Sequence, residues 1–177
     1  MADLNASLAE TRTVLVFGEL TPALAERVSQ QVLLLAARAT APIKLLINAQ
    51  GGSVTTGEAL LDLLRGVGAP VKTIGVGAVA NAAALAYLAP PRERRYCLPH
   101  ARFSFFQNFG APSGDLLAGA ALAAQQRARV AALLGAQTGQ PEELVERDLE
   151  RAYWLDSAEA RQYGLVGQVI EGLDEVG

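Results

Sequence analysis

Ile43-Lys44-Leu45-Leu46-Ile47-Asn48-Ala49-Gln50-Gly51-Gly52-Ser53-Val54-Thr55-Thr56-Gly57 is the stretch on which the reading of this chain turns. A β-favouring run, Ile43 to Asn48, stops at paired glycines and opens into an amphipathic helix with Ala59, Leu60, Leu63 and Leu64 on one face. Paired glycines at a helix start leave backbone N–H groups bare. Such groups hold an extended peptide or a developing oxyanion, because no side chain blocks the approach. The stretch therefore reads as half of an acyl-transfer site.

The neighbouring segments repeat the strand-then-helix pattern. Upstream, Thr13 to Phe17 reads as a strand closed by Gly18; Thr21 then caps a helix with Pro22 at its first position and Val28, Val32 and Leu35 on its apolar face, running to about Arg38. Downstream, Gly66 and Gly68 end the second helix, Val71 to Val76 forms a third strand, and an alanine-rich helix spans about Val79 to Leu88. This β-α-β-α-β-α series predicts a mostly parallel sheet with right-handed crossovers. Beyond it, Arg92, Arg94 and Arg95 read as a solvated turn, and Tyr96–Leu98 and Arg102–Phe106 as short strands around Pro99-His100. A long helix is expected from Ser113 to about Gly135, a shorter one after Pro141 to Arg151, and another over Ser157–Tyr163, stopped by Gly164. Val166–Ile170 reads as a final strand.

Composition bounds the function. The 177 residues, 51% apolar and 19% charged, suit a single domain with a substantial core and not a disordered chain. A net charge of −3 gives no reason to expect a nucleic-acid or acidic-membrane surface. The lone cysteine, Cys97, excludes an intrachain disulfide and lies in an apolar run, as a buried thiol would. The start, Met1 to Glu10, lacks the pattern of a secretory signal. Val71 to Pro90 is apolar, but Gly75, Gly77 and Asn81 break it as they would a strand-helix unit rather than a membrane span. A cytoplasmic location is expected, or the plastid stroma in a photosynthetic eukaryote. One histidine and one cysteine with scattered carboxylates supply no metal set, and no cofactor is expected.

From Ile47 through Gly57 the chain closely resembles the ClpP family, the proteolytic subunit of the Clp protease. The resemblance continues, in order, through Ile74–Ala89, Leu98–Gln107, Thr138-Gly139-Gln140, Glu146–Leu155 and Tyr163-Gly164-Leu165. It implies a crotonase-like α/β fold over residues 1–177 with a protruding long helix (113–135). It also implies heptameric rings, two of them stacked through that helix as a tetradecamer; Leu116, Leu117, Leu122 and Val130, more apolar surface than a lone exposed helix needs, are expected at such an interface. It further implies an oxyanion site at Gly51, Gly52 and Ala82, whose donors match the N–H groups of Gly52 and Ala82.

Members of that family use a Ser-His-Asp triad, and the matching positions here are Asn81, Phe106 and Ala152. A carboxamide is neither a useful nucleophile nor a base, and phenylalanine has no titratable atom. His100 lies six residues before Phe106 in a turn; Lys44 and Lys72 stand at strand starts, away from the glycine pair; Ser53 reads as a helix cap, and Ser104 has no visible base. The expectation is a catalytically silent ClpP-like subunit, structural or regulatory, similar in kind to the ClpR subunits. Its partners would be copies of itself and an active ClpP paralogue. The alternatives are an active peptidase or crotonase-type acyl-transfer enzyme using unrecognised groups with the Gly52/Ala82 hole, or a stand-alone peptide-binding module.

In the family that the chain resembles, an aromatic-lined pocket on the ring face accepts loops of an AAA+ unfoldase; the matching positions here are Lys44, Leu46 and Gly66, so that docking is expected to be weakened. Against the family, the N-terminal segment, 1–11, reads as shortened or replaced, and it is expected to be disordered. Glu150-Arg151 matches a charged pair that links ring subunits in the family; an exposed helix-end pair is an equal reading.

Overall fold

The computed structural model describes residues 7–105 and 116–177. Strand β1 (Thr13–Glu19) leads to α1 (Pro22–Arg38), β2 (Ile43–Gln50), α2 (Val54–Gly66), β3 (Val71–Ala80) and α3 (Ala82–Tyr87). Then follow β4 (Arg95–Cys97), β5 (Arg102–Ser104), α4 (Leu116–Thr138), α5 (Glu142–Glu150), β6 (Trp154–Leu155), α6 (Ser157–Tyr163) and β7 (Gln168–Val169). The sheet runs β1-β2-β3-β4-β7, every neighbouring pair parallel, with β5 parallel to β3 and β6 antiparallel to β5. The mostly parallel α/β reading holds.

Local sequence explains the elements. Thr21 caps α1 by accepting from the Leu24 N–H, and Ser53 caps α2 by accepting from the Thr56 N–H, so Ser53 is committed to the helix start. Asp156 and Glu159 form a reciprocal capping box on α6, and Gly164 closes it at φ 94°. In β2 the burial alternates. Ile43, Leu45, Ile47 and Ala49 face the core beneath Leu24, Val28, Val32 and Leu35 of α1, while Lys44, Leu46 and Asn48 point to the other face. Helix α3 is buried at every residue, which its run of alanines permits.

Several boundaries differ from expectation for tertiary reasons. Val79 and Ala80 extend β3 instead of starting a helix, because β5 supplies a ladder partner at Phe103 and Ser104. Strand β3 serves two neighbours: Thr73–Gly75 pairs with β4 and Ala78–Ala80 with β5. Between them Gly77 takes φ +72°, and the Asn48 side-chain oxygen accepts from the Ala78 N–H at 3.1 Å. The expected disorder of 1–11 is corrected in part: residues 7–10 are helical. Arg12 then caps the other end of α1, donating to the Leu35, Ala39 and Ala41 carbonyls at 2.8–2.9 Å.

Two further corrections concern side chains. Arg95 is not a solvated turn residue. It is 1% exposed and donates to the carbonyls of Pro90 (2.7 Å), Gln137 (3.2 Å) and Leu88 (3.3 Å), and to the Gln137 side-chain oxygen. Arg92 and Arg94 are exposed, as expected of a turn, although Arg92 reaches the Val166 and Arg161 carbonyls. Val130, expected at an interface, is fully buried in the chain's own core with Ala131 and Leu134.

Cys97 is fully buried in β4, and burial pushes its thiol up to about 12. A thiol whose pKa is higher in the folded state contributes stability that is complete below the unfolded value of 9.0 and is lost as pH climbs toward about 12. Accordingly, iodoacetamide at mildly alkaline pH is expected to modify folded protein roughly 10²-fold or more slowly than guanidinium-unfolded protein. Comparable rates, read by intact mass, would place the thiol outside the core.

Candidate functional site

In a parallel sheet the strand C-termini share one edge, and that edge is where such sheets build sites. Here the ends of β1, β2 and β3 surround a groove of about 550 Å³ lined by Gly18, Glu19, Asn48, Ala49, Gln50, Gly51, Ala78 and Asn81. Asn81 sits between β3 and α3 at φ 56°, ψ −127°, a conformation that a non-glycine residue adopts only when its surroundings impose it. Three bonds impose it. The Asn81 N–H donates to the Ser104 carbonyl at 3.0 Å, the Ala82 N–H to Gly51 at 3.2 Å, and the Ala84 N–H to Asn81 at 3.1 Å.

The glycine loop fits against this elbow with no room to spare. A Cβ on Gly52 (φ +80°) would lie 2.3 Å from the Leu20 carbonyl oxygen and 3.0 Å from the Ala82 Cβ. One on Gly57 would lie 2.6 Å from the Ala82 carbonyl oxygen. Gly51, Gly52 and Ala82 are thus brought together as expected, but the Ala82 N–H points at the Gly51 carbonyl. An incoming carbonyl or oxyanion has to displace that internal acceptor first.

Ala152 follows α5 at φ 50° and precedes β6. Ser104 pairs with Ala80 on one side and with Trp154, antiparallel, on the other, so Ala152 lies at the same end of the sheet as Asn81. Phe106 lies outside the described residues, as do the side chains of Leu116 and Leu117. His100 precedes β5 and so stands at the opposite end, exposed; Lys44 and Lys72 pair in register at the strand starts, also away from the groove. Ser104 is buried. Among the described residues lining the groove the ionisable side chain is that of Glu19, which is exposed.

Three features were not read from sequence. Glu19 belongs to the groove because it follows Gly18 at the end of a parallel strand, a signal that strand order would have revealed. Asn48 supports β3 at Gly77–Ala78, where its register against β2 shifts. Glu150 pairs with Arg127 of α4 at 3.0 Å and not with Arg151, which caps α5 exposed; Arg129 likewise reaches Glu58 of α2 at 3.1 Å. These pairs tie the long helix to its own chain.

A strained strand-to-helix elbow facing a glycine loop across the C-terminal edge of a parallel sheet is the scaffold of an acyl-transfer site. The family model described as Clp protease matches residues 1–172. ATP-dependent Clp protease proteolytic subunit 3 of Rhizobium meliloti is 36% identical over 177 residues, covering 98% of this chain and 91% of the relative. Among solved structures, ClpP1 from Listeria monocytogenes superposes with a TM-score of 0.87 at 36% identity, covering 98% of this chain and 99% of that one. The ClpP protease catalytic domain from Plasmodium falciparum gives 0.83 at 26% identity, covering 97% and 92%. The chain belongs to the Clp protease family and has the ClpP fold.

Proposed function

We propose that this chain is a non-catalytic ClpP-like subunit, a structural and regulatory member of a Clp-type ring assembly. The observation that carries the reading is Asn81 on an intact elbow: the strained backbone and its glycine-loop support are kept, while the nucleophile position holds a carboxamide. Ala152 at the same end of the sheet removes the carboxylate, and Phe106 removes the base. Serine chemistry needs all three groups acting as a unit. The Gly51-Gly52 loop with Ala82 remains as a peptide-binding remnant.

Assembly is supported by surface that one chain leaves uncovered. In the first half of α4, Ala120, Ala121, Leu122 and Ala124 are all exposed, Leu122 by 42%. A helix that is apolar on so many sides needs a neighbour. In this reading α4 stacks one ring on another, with Leu116 and Leu117 joining that contact, while the exposed Arg127–Glu150 pair links α4 to α5 of its own chain. Lys44, half-buried beside Leu46, disfavours the apolar docking loop of an AAA+ unfoldase, so a mixed ring carries fewer active sites and fewer docking pockets.

Co-expression with an active ClpP paralogue from the same genome tests this. Native mass spectrometry is expected to find rings containing both chains, with peptidase activity per ring falling in step with the share of this chain. If only separate homo-oligomers form while both chains are abundant, the mixed-ring role is wrong. A monodisperse monomer by light scattering at micromolar concentration would refute assembly altogether.

A further inference from the structure

The groove at the C-terminal edge of the sheet has an uneven polarity. Gly18, Ala49, Gly51 and Ala78 line it with little or no side chain, and its polar side chains are three amides, Asn48, Gln50 and Asn81, and one carboxylate, Glu19. An amide donates from one end and accepts from the other, whereas a carboxylate only accepts. Among the described residues that line the groove there is no cation to answer it. The ion pairs among the described residues join Arg127 to Glu150 and Arg129 to Glu58, so Glu19 belongs to neither.

Backbone geometry fixes where that carboxylate stands. Glu19 is the last residue of β1, in parallel register with Gln50. Its carbonyl accepts from the Thr21 N–H at 2.8 Å, and the next N–H, of Leu20, donates to Gln50 at 3.0 Å. The chain around its Cα is thus tied to β2 on one side and to the cap of α1 on the other. The side chain then lies across the glycine loop: a Cβ on Gly51 would fall 2.9 Å from Glu19 Cγ and 3.4 Å from its Oε1. Gly51, at φ +72°, leaves the carboxylate that place by having no side chain. Beside it, the Ala82 N–H is engaged by the Gly51 carbonyl. The donor that would meet negative charge is occupied internally, while the acceptor that would meet positive charge is exposed.

We propose that Glu19 makes this groove selective for a peptide that places a lysine or arginine side chain beside Gly51. The inference rests on the reading of the Gly51-Gly52 loop with Ala82 as a peptide-binding remnant, and adds what that remnant selects. An extended segment laid along this edge turns alternate side chains toward the groove, and the one that reaches Glu19 is chosen by charge. An acidic side chain there meets a like charge, so the same residue also excludes acidic segments.

Fluorophore-labelled, photo-cross-linkable peptides of the form acetyl-Ala-Leu-X-Leu-Ala-amide, with lysine, arginine, norleucine or glutamate at X, test this on the full chain. Norleucine keeps the length of lysine without its charge. Fluorescence anisotropy is expected to show the lysine and arginine peptides binding about 5-fold more tightly than norleucine, the scale of an ion pair at an exposed carboxylate, with glutamate weakest. Added salt should flatten that order. Glu19→Gln should bring lysine and norleucine to equal affinity, and Glu19→Lys should favour glutamate over lysine. Cross-links should map to residues 48–51 and Asn81, and Gln50→Trp, which fills the groove from another exposed position, should weaken all four peptides. Equal affinity for lysine and norleucine, with cross-links in the groove, would overturn the charge selection and leave the peptide-binding remnant standing. A preference that survives Glu19→Gln, or cross-links outside the groove, would overturn the role of Glu19. No binding by any of the four peptides would overturn the remnant and the selection together.

Discussion

Fluorophosphonate probes are expected to leave this chain unlabelled, and Asn81→Ser alone to leave it unlabelled as well. The elbow already holds residue 81 at φ 56°, so the new hydroxyl would stand in the nucleophile's place, but nothing nearby would take its proton. Loss of a triad member costs on the order of 10⁴-fold, and the members are strongly non-additive. The combined variant Asn81→Ser, Phe106→His, Ala152→Asp is the one expected to gain labelling and peptide hydrolysis, by about 10³-fold or more over the single variant. The backbone of the elbow is why that gain is expected: Gly52 and Gly57 already pack against Leu20 and Ala82 with no room for a side chain. Stoichiometric labelling of the wild-type chain, abolished by replacing one of its serines, would overturn the non-catalytic reading.

Arg95→Met is expected to be among the most destabilising single changes in the protein. The Pro90 and Gln137 carbonyls and the Gln137 side chain would lose their donor, while Leu88 would keep Arg65, whose guanidinium also reaches it. At about 1–3 kcal/mol for the buried Pro90 acceptor and about 1 kcal/mol for each of the two part-buried Gln137 acceptors, the loss comes to about 3–5 kcal/mol. Because Gln137 lies in the last turn of α4, Arg95 also satisfies the helix's orphan C-terminal groups and places a cation at its negative end. Burial lowers the guanidinium to about 10, well above neutrality, so the charge persists. Arg95→Lys should recover only part of the loss, since an ammonium cannot fork to the same acceptors. Chemical denaturation at fixed protein concentration measures both variants. Wild-type stability in Arg95→Met would mean that these bonds contribute nothing net.

The sequence alone determined the architecture, because the periodicities that specify it are local. Alternating burial in Ile43–Ala49, the caps at Thr21 and Ser53, and the Gly51-Gly52 break each follow from a few neighbouring residues. The altered chemistry at Asn81, Phe106 and Ala152 was equally legible, since the identity of a side chain is in the sequence whatever its setting. Tertiary structure decided what depends on distant partners. Val79 and Ala80 became strand because β5 paired with them; Arg95 went inside because carbonyls from two separate segments converge on it; Glu150 chose Arg127 over its neighbour Arg151. The engagement of the Ala82 N–H by Gly51 and the covering of Ile74 by Val176 join residues 31 and 102 positions apart, by the difference of their numbers. No local pattern encodes such contacts. They exist only once the parallel sheet has brought its strand ends together and left one face for the chain's last residues to cover.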